Sequence, residues 1–108
     1  MRRGTTPTII MNVSGDDLAD NNIYITIRQG ACLIIKGPED ITRTPGEDAD
    51  TCILSVSYTQ SETLKLTPGE DAYIQLRVIS SDQIVKESGI ISLGPVDDVL
   101  QEGVLSYA

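Results

Sequence analysis

The groups able to do acid–base or metal chemistry in this chain are almost all carboxylates. Sixteen Asp and Glu stand beside eight Lys and Arg, two Cys and no His in 108 residues. Without histidine the usual general base, the usual metal ligand and the third member of most nucleophilic triads are missing. No G-x-S-x-G, phosphate-binding loop, dinucleotide fingerprint or paired C-x-x-C occurs. A pair of carboxylates suffices for glycoside hydrolysis, but here the acids fall in turn-like stretches rather than on strand faces, Glu87 excepted. The expectation is a protein with no catalytic residue, no cofactor and no enzymatic activity.

The densest acids belong to a hexapeptide that occurs twice, Thr44-Pro-Gly-Glu-Asp-Ala49 and Thr67-Pro-Gly-Glu-Asp-Ala72. Around the first copy, Glu47, Asp48 and Asp50 offer hard oxygens suited to calcium, with Glu39 and Asp40 nearby. The spacing is not that of a calcium-binding loop, and the second copy supplies only Glu70 and Asp71. A solvated acidic turn is favoured over a metal site. In Thr-Pro-Gly-Glu, proline presets φ for the second turn position and glycine supplies the positive φ that a type II turn needs at the third. The residues flanking the two copies are unrelated, whereas a structural repeat carries its core positions with it. The expectation is one turn solution used twice.

The elements that must carry these residues follow a period of two. Ile23, Ile25 and Ile27 share one face of a strand, with Tyr24, Thr26 and Arg28 on the other. Cys52, Leu54, Val56 and Tyr58 alternate with Ser55 and Ser57. Ala72, Ile74, Leu76 and Val78 alternate with Tyr73, Gln75 and Arg77. Such one-sided strands suit antiparallel sheets. Thr8–Val13 reads as a first strand with Ile9, Met11 and Val13 inward. The apolar run Cys32–Lys36 suggests a more central strand. Ile84–Leu93 is broken by Glu87-Ser-Gly89, where a bulge is expected, and Val96–Leu105 reads as a final weak strand or turn. Thr59-Gln-Ser-Glu62 has the form of a capping box, so one helical turn near residues 60–64 is expected where the chain crosses between sheets. Six or seven strands with frequent turn signals indicate an all-β fold, a small antiparallel Ig-like β-sandwich.

The absence of Phe and Trp requires an aliphatic interior. A net charge of −8 opposes nucleic acid and anionic membrane surfaces, so neither is expected as a partner. Cys32 and Cys52 sit among small apolar neighbours, the setting of free thiols. Met1-Arg2-Arg3 runs into Gly-Thr-Thr-Pro rather than an apolar stretch, so no signal peptide is expected. Residues 8–108 are expected to form one domain, preceded by a flexible arm over residues 1–7. Arg2 and Arg3 of that arm are candidates for docking on an acidic neighbour. Tyr73, Gln75 and Arg77 form an outward row whose composition is that of a contact surface.

Several of these stretches resemble one family. Arg3-Gly-Thr-Thr-Pro7 leading into a strand, Thr59-Gln-Ser-Glu-Thr-Leu-Lys65 and Gln75-Leu-Arg-Val78 are similar to short structural proteins of tailed phages and prophages of Gram-positive bacteria. So are Gly89–Leu93 and Val99-Leu-Gln-Glu-Gly-Val104. Asp17-Leu18 ahead of Ile23–Ile27 is similar in rhythm to N-terminal modules of siphophage upper baseplate proteins. The chain departs from that pattern at Ser14–Asn22, which is longer and more acidic, and at both hexapeptide turns. The resemblance brings no catalytic residues. It implies a component of the virion, in the tail, baseplate or capsid periphery, assembled in the host cytoplasm and acting through contacts with other virion proteins or with itself. The alternatives left open by the residues are a surface-displayed module binding carbohydrate or calcium, and an acidic adaptor or inhibitor of a host protein.

Overall fold

The computed structural model describes residues 1–14, 21–46 and 51–107. Among them are eight strands: β1 (Thr8–Ser14), β2 (Asn22–Gln29), β3 (Cys32–Lys36), β4 (Ile41–Pro45), β5 (Thr51–Ser57), β6 (Asp71–Ile79), β7 (Val85–Glu87) and β8 (Ile91–Pro95). One helical turn, α1 (Gln60–Leu64), joins β5 to β6, and a 3-10 turn (Pro38–Asp40) precedes β4. Two antiparallel sheets result. One has the order β1-β5-β4; the other runs β3-β2-β6, with β7 and β8 both pairing along the free side of β6.

The alternation of apolar and polar residues sets which side of each sheet is buried. Ile23, Ile25 and Ile27 of β2 and Ala72, Ile74, Leu76 and Val78 of β6 meet Leu54, Val56 and Tyr58 from the β5 side in a single core cluster. Ile9, Met11, Val13 and Cys52 pack against that cluster while partly exposed. This is the expected all-β sandwich with an aliphatic core. The second and third strands of an Ig constant domain lie in opposite sheets; here β2 and β3 are hairpin partners in one sheet.

Four local expectations change. Cys32–Lys36 is an edge strand, not a central one, with Leu33 and Ile35 exposed. It is joined to β2 by the tight Gly30-Ala31 turn, whose glycine has φ +59°, the arrangement of a II′ hairpin. Ile41–Pro45 is a strand that the sequence pattern did not single out, because Thr42, Arg43 and Thr44 mask its alternation. Residues 96–107 hold no strand and only one isolated bridge, Arg2 with Asp97. The two hexapeptides differ as well. Gly69 has φ +83° and fits the expected turn, but Thr44 and Pro45 belong to β4, and Gly46 does not have a positive φ. A Cβ on Gly46 would instead run into Thr51. One motif thus needs its glycine for conformation in one place and for space in the other.

The interrupted stretch 84–95 behaves as one bulged edge strand. Arg77 faces Glu87, Ile74 faces Ile91 and Ala72 faces Gly94. The partner strand therefore gains a residue on β6 between Glu87 and Ile91 and another between Ser92 and Gly94, the signature of β-bulges. Ser88 stitches the first slip: its N–H donates to Leu76 O at 2.9 Å, and its Oγ accepts from Leu76 N at 3.0 Å. The free thiols Cys32 and Cys52 are both half-buried.

Candidate functional site

Burying the isoleucines of β2 and the aliphatics of β6 turns the alternate residues of both strands to the other side. Tyr24-Ile-Thr-Ile-Arg28 and Tyr73-Ile-Gln-Leu-Arg77 are the same pattern, and the antiparallel register sets them head to tail. Tyr24 lies opposite Arg77, Thr26 opposite Gln75 and Arg28 opposite Tyr73. The two tyrosines thus occupy one pair of diagonal corners of a narrow rectangle and the two arginines the other, with the Thr26–Gln75 pair at its centre. β3 extends the rows, with Leu33 beside Arg28 and Ile35 beside Thr26.

This face is open. Tyr24 and Tyr73 are 39% and 42% exposed, Leu33 and Ile35 54% and 59%, and Ile90 68%. A groove of about 600 Å³ runs over it, lined by Arg28, Leu33, Tyr73, Gln75, Arg77 and Ile90 among others. It continues past Thr26 and Arg77 into a hollow of about 240 Å³ beside Tyr24, Ile35 and Val85. Gln75 is fixed there by its Nε2 donating to Ser88 O at 3.0 Å.

The electrostatics of this face oppose those of the whole chain. Arg28 Nε donates to Gly30 O at 3.3 Å, and among the described residues no carboxylate pairs with it. Among the described residues Arg77 has only Glu87, 4.0 Å away with both side chains more than half exposed. Such a contact contributes little. In a chain of net charge −8, the face is a cationic, aromatic and aliphatic island.

Arg2 and Arg3 are placed elsewhere and are engaged within their own chain. Asp97 N donates to Met1 O at 2.9 Å and Arg3 N to Asp97 O at 3.0 Å. Arg3 Nη1 reaches Asp98 Oδ1 at 2.8 Å and Glu102 Oε1 at 2.6 Å, while Nη2 donates to Leu64 O at 3.0 Å and to Glu102 Oε2 at 3.1 Å. Hydrogen bonds to Glu102 and then Asp98 push the Arg3 guanidinium further up. Val99 N–H first, and Arg3 second, hold the Asp98 carboxyl below its ordinary value. Arg2 adds a 3.7 Å ion pair with Asp97. The arginines of the arm thus meet acids of their own chain, in the segment after β8. Thr63 Oγ1 donates to Thr5 O at 2.9 Å and Tyr58 N to Pro7 O at 3.0 Å, so the arm is bonded along its length.

Beside this clasp the capping box forms as expected. Glu62 N donates to Thr59 Oγ1 at 3.2 Å and Thr59 N to Glu62 Oε1 at 2.8 Å. The same Glu62 oxygen receives Lys36 Nζ at 2.8 Å, and that ammonium stands 5.1 Å from the centre of the Tyr58 ring. Partial burial works to raise the Glu62 carboxyl, but Lys36 and the Thr59 N–H outweigh it and hold it below its ordinary value. Burial, then the charge of Glu62, pushes the Tyr58 phenol up, so it stays neutral. Buried Gln29 holds the second hexapeptide turn: its Nε2 donates to Thr67 O at 2.8 Å and Glu70 O at 3.0 Å, and its Oε1 accepts from Thr67 N at 2.5 Å.

Glu47, Asp48 and Asp50 lie outside the described residues. Among the described residues no three acids, cysteines or histidines converge as a metal site would require, and no helix is long and apolar enough to cross a membrane. The sequence row Tyr73, Gln75, Arg77 is one column of the open face. Tyr24, Arg28, Leu33, Ile35 and Ile90 complete it and were not singled out as contact residues. The signal available for the first two was the shared Tyr-Ile-x-x-Arg pentapeptide. The other three needed the strand order. In comparisons with known proteins, no family model matches the chain and no curated protein matches it.

Proposed function

We propose that this protein is a structural component of a phage or prophage particle, in the tail, baseplate or capsid periphery, and that it acts by protein–protein contact. Its partners on this reading are other virion proteins or further copies of itself, and its place is the virion, assembled in the host cytoplasm. Two things support the reading: the resemblance of its short motifs to such proteins, and the face built by β2, β3 and β6. The single observation that carries the contact role is that this face gathers two exposed tyrosines, two arginines and flanking aliphatics, while the rest of the chain is strongly acidic. Tyrosine and arginine are the residues enriched where binding energy concentrates.

The test is mass spectrometry of particles purified from the producing host after induction. Recovery of the protein with the particles, at stoichiometry comparable to known tail or head proteins, is expected. Its presence in the lysate alone, at full expression, would remove the assignment. The same tyrosine pair beside a groove is also what a small glycan-binding module would use. Oligosaccharide binding by titration calorimetry that Tyr24→Ala or Tyr73→Ala abolishes would move the protein to that class.

A further inference from the structure

We infer that the Tyr24–Arg28–Tyr73–Arg77 rectangle is the interface of a two-fold homodimer in which each tyrosine ring is covered by an arginine of a second copy. The inference rests on the contact role proposed for this face, and it commits to one occupant.

The argument is geometric. A two-fold interface must be self-complementary, with residue i meeting j and j meeting i. The arrangement of like residues on diagonal corners has that property. If a second copy is laid face to face about an axis parallel to the strands, between β2 and β6, Tyr24 meets Arg77 of the copy and Arg28 meets Tyr73. Both contacts then recur by symmetry. No tyrosine meets a tyrosine, no arginine meets an arginine, and all four contacts are cation–π pairs. Thr26 meets Gln75, a hydroxyl against an amide. The same axis lays the β3 side of one copy on the β7–β8 side of the other, so Leu33 and Ile35 meet the region of Ile90.

Aligned sheet packing rotates the faces by about 30°. The corners of the rectangle lie about 7 Å from its centre, so that rotation shifts each by about 4 Å, within the roughly 6 Å over which a guanidinium is attracted to a ring. Pairing through this island leaves the acidic remainder of both copies pointing outward. Four strands about 4.8 Å apart make a contact near the lower limit for stable complexes. The dimer is therefore expected at micromolar concentrations rather than nanomolar.

The test uses two variants with identical composition and charge. Tyr24→Arg with Arg77→Tyr exchanges residues along a row and keeps every ring opposite an arginine about this axis. Tyr24→Arg with Arg28→Tyr exchanges them along one strand and puts arginine on arginine and tyrosine on tyrosine. Sedimentation velocity from about 1 μM to 1 mM is expected to show a wild-type dimer. The row exchange should keep its dissociation constant within about threefold, and the strand exchange should weaken it at least about tenfold. Circular dichroism and thermal melts check that both variants keep the fold. A wild-type chain that stays monomeric throughout, or exchanges that affect association equally, would overturn the inference. Recovery in purified particles does not depend on self-association, so a monomeric chain found in particles would end the dimer inference and leave the structural role standing.

Discussion

Two groups of arginines in this molecule have opposite fates. At the end where the arm meets the segment after β8, Arg3 is bound to two carboxylates and a backbone carbonyl of its own chain. On the outer face of β2 and β6, Arg28 donates to a carbonyl and Arg77 stands 4.0 Å from a solvated glutamate. The first region ties several long polar side chains inward: Gln29 to a turn, Lys36 to Glu62, and Gln60 to both the N–H and C=O of Leu105. The second leaves polar and apolar groups open together. The difference predicts how each region responds to substitution. Substitutions at the clasp should change stability and spare association, and those on the face should do the reverse.

The largest effect expected is at Gln29. Gln29→Ala would remove the side-chain partner of both the N–H and the C=O of Thr67 and one of the two donors to Glu70 O, and should cost about 2–3 kcal/mol in urea unfolding. Next is Glu62. Glu62→Gln leaves the Lys36 ammonium, 11% exposed, without its counter-charge, and a loss of about 2 kcal/mol is expected. The pH dependence follows from the direction of the shift. A carboxyl held low when folded stabilises the fold fully above its ordinary value of 4.5 and loses that contribution as the pH falls below it. Melting curves between pH 6 and 3 should therefore show wild type losing more stability than Glu62→Gln; equal losses would break the clasp side of the comparison.

Arg3→Ala should lower the melting temperature by a few degrees, less so at high salt, because its carboxylate partners are exposed. Smallest is the face. Arg28→Ala and Tyr73→Ala should move stability by no more than about 0.5 kcal/mol while reducing any self-association seen by sedimentation. A large loss of stability there would show the face to be part of the fold.

Most of the architecture was legible because one-sided strands announce themselves. The alternation in β2, β5 and β6 gave their buried faces, and Thr59 and Glu62 gave the helical turn. Other features were not. β4 was hidden because its exposed residues are ordinary polar ones, and β3 looked central because its outward residues are apolar. Burial of Lys36 and Gln29 was invisible, since long polar side chains sit on either face until a partner is known. The outward row Tyr73, Gln75, Arg77 was readable as one column; its completion by Tyr24 and Arg28 required the register.

What the chain determined by itself is local: which residues of a strand point the same way, where a cap forms, and that the interior is aliphatic. These follow from the two-residue period of the strand and from bonds spanning a few positions. Tertiary structure alone decided that two like pentapeptides lie antiparallel with tyrosine beside arginine, that the first arginines meet acids from the far end of the chain, and that a repeated glycine serves φ in one copy and space in the other. Those outcomes depend on pairing between distant segments, and neither the spacing nor the composition of a single segment carries that information.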